Sequence, residues 1–226
     1  MELTYYGHSC FSVTVAGKKL LFDPFITYND LAKHIDKKSI EADFIFVSHG
    51  HEDHIADLFE LAEQTQATVV SNWEICAWIN KNGYAKTHPM NHGGSWYFDF
   101  GKVKCVNAVH SSGLPDGSYG GTAIGFVFTT EEGNFYYSGD TALTLDMQLV
   151  PLFASLQFAV LPIGDNFTMD ASDAEKAAGF VQCNTVVGVH YDTFGYIKVD
   201  KEKAQKLFTS KGKSLLLPAI GETITV

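Results

Sequence analysis

Basic residues are scarce in this chain of 226 residues: 16 lysines and arginines stand against 26 aspartates and glutamates, and the formal net charge is −10. Binding along a nucleic acid requires a basic surface that neutralises phosphates, and no cluster of basic residues supplies one here. We therefore expect a small-molecule substrate and no nucleic-acid partner.

Cysteine pairs and long apolar segments are also absent. The four cysteines, Cys10, Cys76, Cys105 and Cys183, lie far apart and form no CxxC motif, so free thiols in a reducing compartment are expected. The first residues do not combine a basic segment with an apolar one, and no run is apolar enough to span a bilayer. These features predict a cytoplasmic protein that does not enter the membrane.

Repeats, low-complexity segments and linkers are missing as well, whereas hydrophobic residues make up 46% of the chain and can form a sizeable core. A chain of this length fits one domain or two small ones. Because no linker is visible, we expect residues 1–226 to form a single α/β domain. The sequence leaves its oligomeric state open and is compatible with a homo-oligomer.

The most informative segment is residues 48–54, Ser-His-Gly-His-Glu-Asp-His. The apolar, β-branched and aromatic run at residues 42–47 predicts a buried strand before it. Apolar residues at helical spacing from Ile55 to Ala62 predict a helix that begins at or near His54. The histidines therefore lie in a loop between a strand and a helix, and such loops commonly carry functional residues.

The spacing of these histidines indicates a metal site. His49 and His51 are two residues apart, so in an extended segment both rings leave the same face. Asp53 and His54 follow the turn and can face a second ion, and Gly50 permits tight folding between the two pairs. Imidazole and carboxylate ligands suit zinc first, with manganese or iron as alternatives. The competing interpretation is a polar helix start in which Asp53 favours the helix N-terminus.

Further polar residues follow other apolar strands. Asp23 closes a strand directly before Pro24, and His110, Asp140 and His190 each come after an apolar run. Because each could reach one common edge, we expect these residues to lie near the histidine loop. Asp23 is either a turn former or an acceptor that orients the metal-binding loop. Strand-rich halves with interspersed helices predict two packed sheets with helices outside them.

The order of these residues resembles the ligand series of the metallo-β-lactamase superfamily. A closer resemblance is to small bacterial and archaeal metal-dependent hydrolases of uncertain substrate, which are relatives of L-ascorbate-6-phosphate lactonase. It spans nearly the whole chain and rests on these strings: Tyr6-Gly7-His8-Ser9, Phe22-Asp23-Pro24-Phe25, His88-Pro89-Met90 with Gly93-Gly94, residues 98–103, Gly139-Asp140-Thr141-Ala142, residues 161–169 and His190-Tyr191-Asp192-Thr193-Phe194. The chain departs from that family at Gly195, where proline is usual.

The resemblance implies a four-layer αββα sandwich of two internally similar halves, with a dinuclear metal site at one edge. It assigns one ion to His49, His51 and His110, the other to Asp53, His54 and His190, and makes Asp140 the bridge between them. Histidine at position 51 differs from the glutamate that is usual in oxygen-reducing di-iron relatives. Aspartate at position 140 differs from the cysteine of metallo-β-lactamases that use a thiolate ligand.

The expected activity is hydrolysis of a small ester, lactone or phosphorylated metabolite. Two divalent ions about 3.5–4 Å apart would lower the pKa of a shared water toward about 7. Asp53 is placed to orient that water or to accept its proton. The resemblance puts His8 on the rim of the site, where it would bind substrate or act as an acid. The residues Asn166, Thr168 and Tyr191 follow strand ends near the same edge and are candidate substrate-binding residues.

Two other functions stay open at this point. A metal-dependent phosphodiesterase or nuclease would use the same ligands, although the RNA-processing enzymes of this superfamily usually carry an additional nucleic-acid-binding segment that is not visible here. A non-hydrolytic redox protein would hold iron and consume oxygen.

Overall fold

The computed structural model describes residues 1–226 and contains two mixed β-sheets. The first sheet contains β1 (Glu2–Gly7), β2 (Cys10–Val15), β3 (Lys18–Phe22), β4 (Phe44–Phe46), β5 (Thr68–Asn72), β6 (Thr87–Met90) and β14 (Thr223–Thr225), in the order β14-β1-β2-β3-β4-β5-β6. The second sheet contains β7 (Ser95–Phe98), β8 (Gly101–Asn107), β9 (Ile124–Thr130), β10 (Gly133–Tyr137), β11 (Phe158–Pro162), β12 (Thr185–Val189) and β13 (Ser214–Leu216), in the order β13-β12-β11-β10-β9-β8-β7.

The two sheets repeat one topology. In the first, β1, β2 and β3 are antiparallel neighbours, and β3 to β6 then continue in parallel. In the second, β7 to β10 are antiparallel and β10 to β13 continue in parallel. The internal similarity of the two halves is therefore present in the strand order itself.

Successive side chains of the first sheet alternate between the core that separates the two sheets and the layer of helices outside. In β3, Leu20 and Phe22 pack into the core between the sheets, whereas Leu21 faces the opposite way. In β4, Phe46 faces the second sheet and Ile45 faces the helices on the outer side. Because successive side chains of a strand point to opposite faces, a sheet that is apolar on both faces must be covered on both.

Aromatic rings fill much of the space between the sheets. Phe22 of the first sheet meets Phe128 of the second edge-on, with 5.5 Å between ring centroids, and Phe128 stacks on Phe135 at 4.2 Å. Both are preferred aromatic geometries, and fully buried rings contribute a large share of core stability. This layer holds the strand ends of the two sheets in fixed relative positions.

Five α-helices lie outside the sheets: α1 (Glu52–Ile55), α2 (Leu58–Thr65), α3 (Trp73–Lys81), α4 (Ala171–Phe180) and α5 (Lys201–Ser210). Apolar residues of the first three pack against the outer face of the first sheet, and those of α4 and α5 join the core of the second. The predicted αββα sandwich is thereby confirmed. None of the helices combines the length and apolar character needed to cross a membrane.

The helix after the histidine loop differs from the prediction. It begins at Glu52, near His54 as expected, but it is interrupted between α1 and α2 at Asp57. The Asp57 carboxylate accepts hydrogen bonds from the amides of Ile26 (2.6 Å) and Thr27 (2.9 Å). Asp57 therefore ties the neighbouring loop to the helix start, and the break leaves Asp53 and His54 on a separate single turn.

Candidate metal centre

The fold brings seven strand ends to one edge. The strands β1 and β3 both run antiparallel to β2, and β4 runs parallel to β3, so their carboxyl ends point the same way. The same relation holds for β8, β10, β11 and β12 in the second sheet. The loops after these strands carry every residue that the sequence nominates as a ligand.

Crowding shapes the loop after β4. The amide of Gly50 donates to Ser112 Oγ at 3.0 Å, and a Cβ at position 50 would lie 3.0 Å from Leu114 Cδ2 and 3.3 Å from the carbonyl oxygen of Gly113. Glycine at position 50 thus avoids a tight contact with the 112–114 segment. His49 and His51, on either side of it, are thereby held against the second sheet.

Three non-glycine residues of the site adopt left-handed backbone conformations. The φ angles are 55° at His8, 40° at Asp23 and 55° at His190. Such conformations cost on the order of 1 kcal/mol or more for ordinary residues. They are held by long-range backbone bonds: the His190 amide donates to the His8 carbonyl at 2.8 Å, and the Asp23 amide donates to the Phe46 carbonyl at 3.0 Å.

One group of ligand-type atoms consists of His49, His51 and His110. His49 Nε2 lies 3.0 Å from His51 Nδ1, and the His110 ring centroid is 4.9 Å from that of His49 and 5.0 Å from that of His51. Three imidazoles that face a common point match the donor set of many zinc sites.

The hydrogen bonds behind His49 fix its tautomer. The Ser48 hydroxyl donates to Asp23 Oδ2 at 2.6 Å, so its oxygen is left to accept from His49 Nδ1, which is 2.9 Å away. His49 Nε2 therefore presents a lone pair to the site. When His51 Nε2–H donates to Ser111 Oγ at 3.2 Å, the His51 Nδ1 lone pair faces the His49 Nε2 lone pair. A cation between them satisfies both nitrogens.

A second group consists of Asp53, His54 and His190, with His8 at its back. His190 Nε2 lies 3.8 Å from Asp53 Oδ2. His54 Nδ1 donates to Asp23 Oδ2 at 2.7 Å, which turns His54 Nε2 toward the site. His8 Nε2 lies 3.1 Å from Asp53 Oδ2, and His8 Nδ1 lies 3.0 Å from Thr193 Oγ1.

Asp140 lies between the two groups. Its Oδ2 is 3.0 Å from His190 Nε2, 3.2 Å from His54 Nε2, 3.8 Å from His110 Nε2 and 4.0 Å from His49 Nε2. Its Oδ1, like His54 Nε2, is buried without a hydrogen-bond partner. Unsatisfied buried polar atoms are rare and call for a specific reason. A metal-binding role satisfies these atoms, so the residues present fit divalent ions.

Burial and the close packing of imidazoles and carboxylates shift the pKa values of these side chains in both directions. Burial disfavours the ionised carboxylate of Asp140, but the imidazoles of His190 and His54 hold the pKa of Asp140 well below its usual range. Burial lowers the pKa of His49, and the neighbouring histidines lower it further. For His54 burial acts in the same direction, yet the surrounding carboxylates, Asp140 first, raise its pKa well above the usual value.

The hydrogen-bonded pair of His8 and Asp53 combines a neutral imidazole with an ionised carboxylate. Burial and the nearby His190 lower the pKa of His8 to about 4, so its ring is neutral at pH 7. Burial raises the pKa of Asp53, but His54 and His8 outweigh it and hold that pKa well below its usual range. A neutral His8 therefore donates one ring N–H to an ionised Asp53 and accepts a hydrogen bond from Thr193.

An open cavity of about 780 Å³ lies over the cluster. Its wall is formed by the following residues: His51, Asp53, His110, Ser111, Asp140, Phe167, His190, Thr193, Phe194, Gly195 and Tyr196. Residues of both histidine-containing groups and Asp140 thus border one space large enough for a small molecule.

Several predicted residues do not reach this cavity. His8 is 1% exposed, lies behind Asp53 and does not line the wall of this cavity. Tyr191 is 5% exposed and stacks on Tyr5 at 6.3 Å, which directs it into the protein. Asn166 and Thr168 lie in the expected loop but do not line the wall, because the chain turns there and presents their neighbour Phe167.

Other residues of the site were missed at the sequence level. Ser48 and Thr193 hold the outer nitrogens of His49 and His8, and Phe194 and Tyr196 form part of the cavity wall. Each stands within six residues of a predicted ligand. Its position next to a strand end was the available signal, but its side-chain direction depends on loop geometry that spacing does not encode.

Comparison with known proteins identifies the class to which this fold and site belong. A family model described as "Beta-lactamase superfamily domain" matches residues 2–190. A UPF0173 metal-dependent hydrolase of Flavobacterium johnsoniae is 52% identical over 224 residues, which cover 99% of each chain, and one of Methylacidiphilum infernorum is 47% identical over the same coverage. The chain therefore belongs to the UPF0173 metal-dependent hydrolases of the metallo-β-lactamase superfamily.

Solved structures support the same conclusion. Igni18, a metallo hydrolase from the archaeon Ignicoccus hospitalis, matches with a TM-score of 0.90 and 32% identity, over 100% of this chain and 97% of that one. An isothiocyanate hydrolase from Delia radicum gut bacteria matches with a TM-score of 0.79 and 20% identity, over 100% and 99% of the two chains. The second likeness concerns the fold alone.

Proposed function

We propose that this metal-dependent hydrolase binds two divalent ions, with zinc as the first candidate, and cleaves a small ester, lactone or phosphorylated metabolite. The main support for this proposal is that two groups of metal-ligand residues lie on either side of Asp140, at the floor of an open cavity. Each group offers imidazole or carboxylate donors of the type that zinc prefers.

His49, His51 and His110 would hold one ion, Asp53, His54 and His190 the other, and Asp140 would contact both. Such a pair of ions lowers the pKa of a bound water and polarises the oxygen of the substrate. Asp23, which accepts from Ser48, His54 and Tyr137, orients the histidines from behind. Acceptors of this kind fix the tautomer and direction of metal-binding imidazoles.

Asp53 is the proposed proton acceptor. Its side chain is 27% exposed and lines the cavity, so a water that enters the site can reach it. The N–H of His8 fixes one carboxylate oxygen, and Thr193 fixes His8. His8 thus acts as a positioning residue for Asp53, because its buried ring has no access to a substrate.

We also propose that the entire chain works as one domain on a small molecule, without a nucleic-acid partner and in the cytoplasm. Strand β13 extends the second sheet and β14 extends the first, although both follow residue 190, where the family match ends. The C-terminal residues therefore complete both sheets.

The decisive measurement is metal content by elemental analysis of untagged protein. We expect about two zinc or manganese ions per chain and a marked loss in His51→Ala. The matched control is His34→Ala, which removes an exposed histidine bonded only to the Ile220 carbonyl. A single iron per chain, or a His51→Ala variant with unchanged metal content, would overturn the ligand assignment.

A further inference from the structure

The wall of the cavity over the site contains no lysine. The sequence contains no arginine, so all 16 basic residues are lysines. An adjoining cavity of about 450 Å³, which shares Asp53 and Phe194 with the first, is also without lysine. A guanidinium fork, the usual partner of phosphate and carboxylate groups, is therefore excluded throughout the protein.

The lysines that follow the cavity loop in sequence are engaged elsewhere. Lys198 Nζ donates to the Asp192 carbonyl oxygen at 2.8 Å, and Lys201 Nζ lies 3.1 Å from the Asp192 carboxylate. Both bonds help to close the loop of residues 192–197, in which the Asp192 amide donates to the Ile197 carbonyl at 2.7 Å. Both ammonium groups therefore stabilise the loop and do not line the cavity.

The absence of lysine and arginine from the cavity wall limits the charge that a substrate can carry. An anionic centre at the point of reaction can be neutralised by the bound ions. A second phosphate or carboxylate farther from the ions would lose water without gaining a countercharge, and desolvating an unpaired anion is costly. The substrate is therefore expected to carry no charged group away from its reacting bond.

Aromatic rings occupy the wall where a charge partner is absent. Phe167, from the loop after β11, and Tyr196, from the loop after β12, meet edge-on with 6.3 Å between centroids. They are 49% and 78% exposed, although both are large and apolar. Phe194 continues the surface and packs edge-on against the His8 ring at 5.3 Å. These three side chains form what we term the aromatic wall.

We propose that the substrate is an uncharged carboxylic ester or lactone whose aromatic or other apolar group packs on the aromatic wall; this rests on the proposed hydrolytic function. In the reaction the oxygen of water bonds to the acyl carbon, the bond from acyl carbon to alkoxyl oxygen breaks, and a proton from water passes to the departing oxygen. An ester gives a carboxylic acid and an alcohol, and a lactone gives a single hydroxy acid, so no reactant besides water is needed.

The first test compares two lactones on the metal-loaded protein. One is γ-phenyl-γ-butyrolactone, and the other carries a phosphooxymethyl group in place of phenyl. We expect kcat/KM to be at least about tenfold higher for the phenyl compound, since burial of an apolar ring against aromatic side chains favours its binding. Equal values, or a preference for the phosphate, would overturn the proposal.

Substitutions at the aromatic wall test its role. Tyr196→Ala should lower kcat/KM for the phenyl lactone about tenfold and should lower it less for unsubstituted γ-butyrolactone, which has no ring to pack on the aromatic wall. Tyr97→Ala is the matched control, because Tyr97 is 74% exposed on the edge strand β7 and does not line the cavity. Tyr196→Lys should raise the rate with the phosphate-bearing lactone, and the absence of any gain would count against a missing cation as the cause of selectivity.

A binding measurement separates this inference from the proposed function. The lactams that correspond to the two lactones resist hydrolysis, so calorimetry reports their affinity without turnover. We expect tighter binding of the phenyl lactam and a loss of that preference in Tyr196→Ala. If no ester, lactone or phosphate ester is hydrolysed, the proposed function fails, even where the phenyl preference shows that the aromatic wall binds apolar groups; if hydrolysis is observed but the preference is absent, the inference fails by itself.

Discussion

Replacing Asp23 by asparagine isolates the contribution of a residue that contacts no substrate. The Asp23 side chain is fully buried and accepts four hydrogen bonds: Oδ1 from the Ser48 amide at 2.7 Å, and Oδ2 from Ser48 Oγ at 2.6 Å, His54 Nδ1 at 2.7 Å and Tyr137 OH at 2.5 Å. Asparagine has nearly the same shape, but one of its oxygens becomes an NH2 group.

Neither orientation of asparagine satisfies these partners. If its oxygen takes the Oδ2 position, the NH2 group faces the Ser48 amide, which is also a donor. If its oxygen takes the Oδ1 position, the NH2 group faces the donors of His54 and Tyr137. A lost hydrogen bond to a charged group costs about 1.5–3 kcal/mol. Loss of an orienting acceptor typically lowers metal affinity by about 10–100-fold, which corresponds to about 1.4–2.8 kcal/mol.

The assay is zinc titration in competition with a chromophoric chelator, combined with chemical unfolding of the metal-free protein. We expect Asp23→Asn to bind zinc about 10–100-fold more weakly and to unfold at lower denaturant concentration. Tyr137→Phe, which removes one donor and leaves the tautomer of His54 intact, should have a much smaller effect on zinc affinity. A zinc affinity of Asp23→Asn within twofold of the wild-type value would refute the orienting role.

Two further predictions concern the carboxylates of Asp53 and Asp57. His8→Ala should lower the metal content from about two ions per chain toward one, because Asp53 loses the N–H that holds it at 3.1 Å; unchanged metal content with full activity would remove His8 from the site. Asp57→Asn should destabilise the protein by about 2 kcal/mol at pH 7 in chemical unfolding, since the charged carboxylate accepts from Ile26, Thr27 and Lys37. Burial raises the pKa of Asp57, but the Thr27 and Ile26 donors and Lys37 outweigh it and hold the pKa below its usual value. A depressed folded-state pKa gives stability that is complete above the unfolded value near 4 and is lost as the pH falls below it. The difference between variant and wild type should therefore shrink below about pH 4, and a difference independent of pH would contradict this account.

The strand pattern and the ligand types could be predicted because both depend on local rules. Apolar strands such as residues 42–47 are visible from composition, and the polar residues that end them share an edge once the strands are parallel. The predicted Asp23, His49, Asp140 and His190 all lie in the cluster around the cavity floor. These residues could be predicted because a position directly after an apolar strand is visible in the sequence and also determines where the residue lies in the fold.

The substrate side of the site could not be predicted in this way. Spacing after β11 nominated Asn166 and Thr168, but the left-handed backbone at Asp165 and Asn166, with φ of 64° and 54°, reverses the chain and presents Phe167. In the same way His8 follows a strand end, yet its φ of 55° turns the ring behind Asp53. Conformations that ordinary residues rarely adopt are set by tertiary contacts and leave no local trace.

The position of the site at the boundary between the sheets links metal binding to the association of the two halves. His49, Asp53 and His54 come from the first sheet, whereas His110, Asp140 and His190 come from the second. Backbone bonds already cross this boundary next to the ligands, from the His190 amide to the His8 carbonyl and from the Ile124 amide to the Ser48 carbonyl. Ions held by both sheets would add cross-links at the same place, and a ligand that binds only the folded state stabilises it in proportion to RT ln(1 + [L]/Kd). The unfavourable left-handed conformations of His8 and His190 lie at this boundary, so the energy of holding the halves together also maintains the geometry of the site.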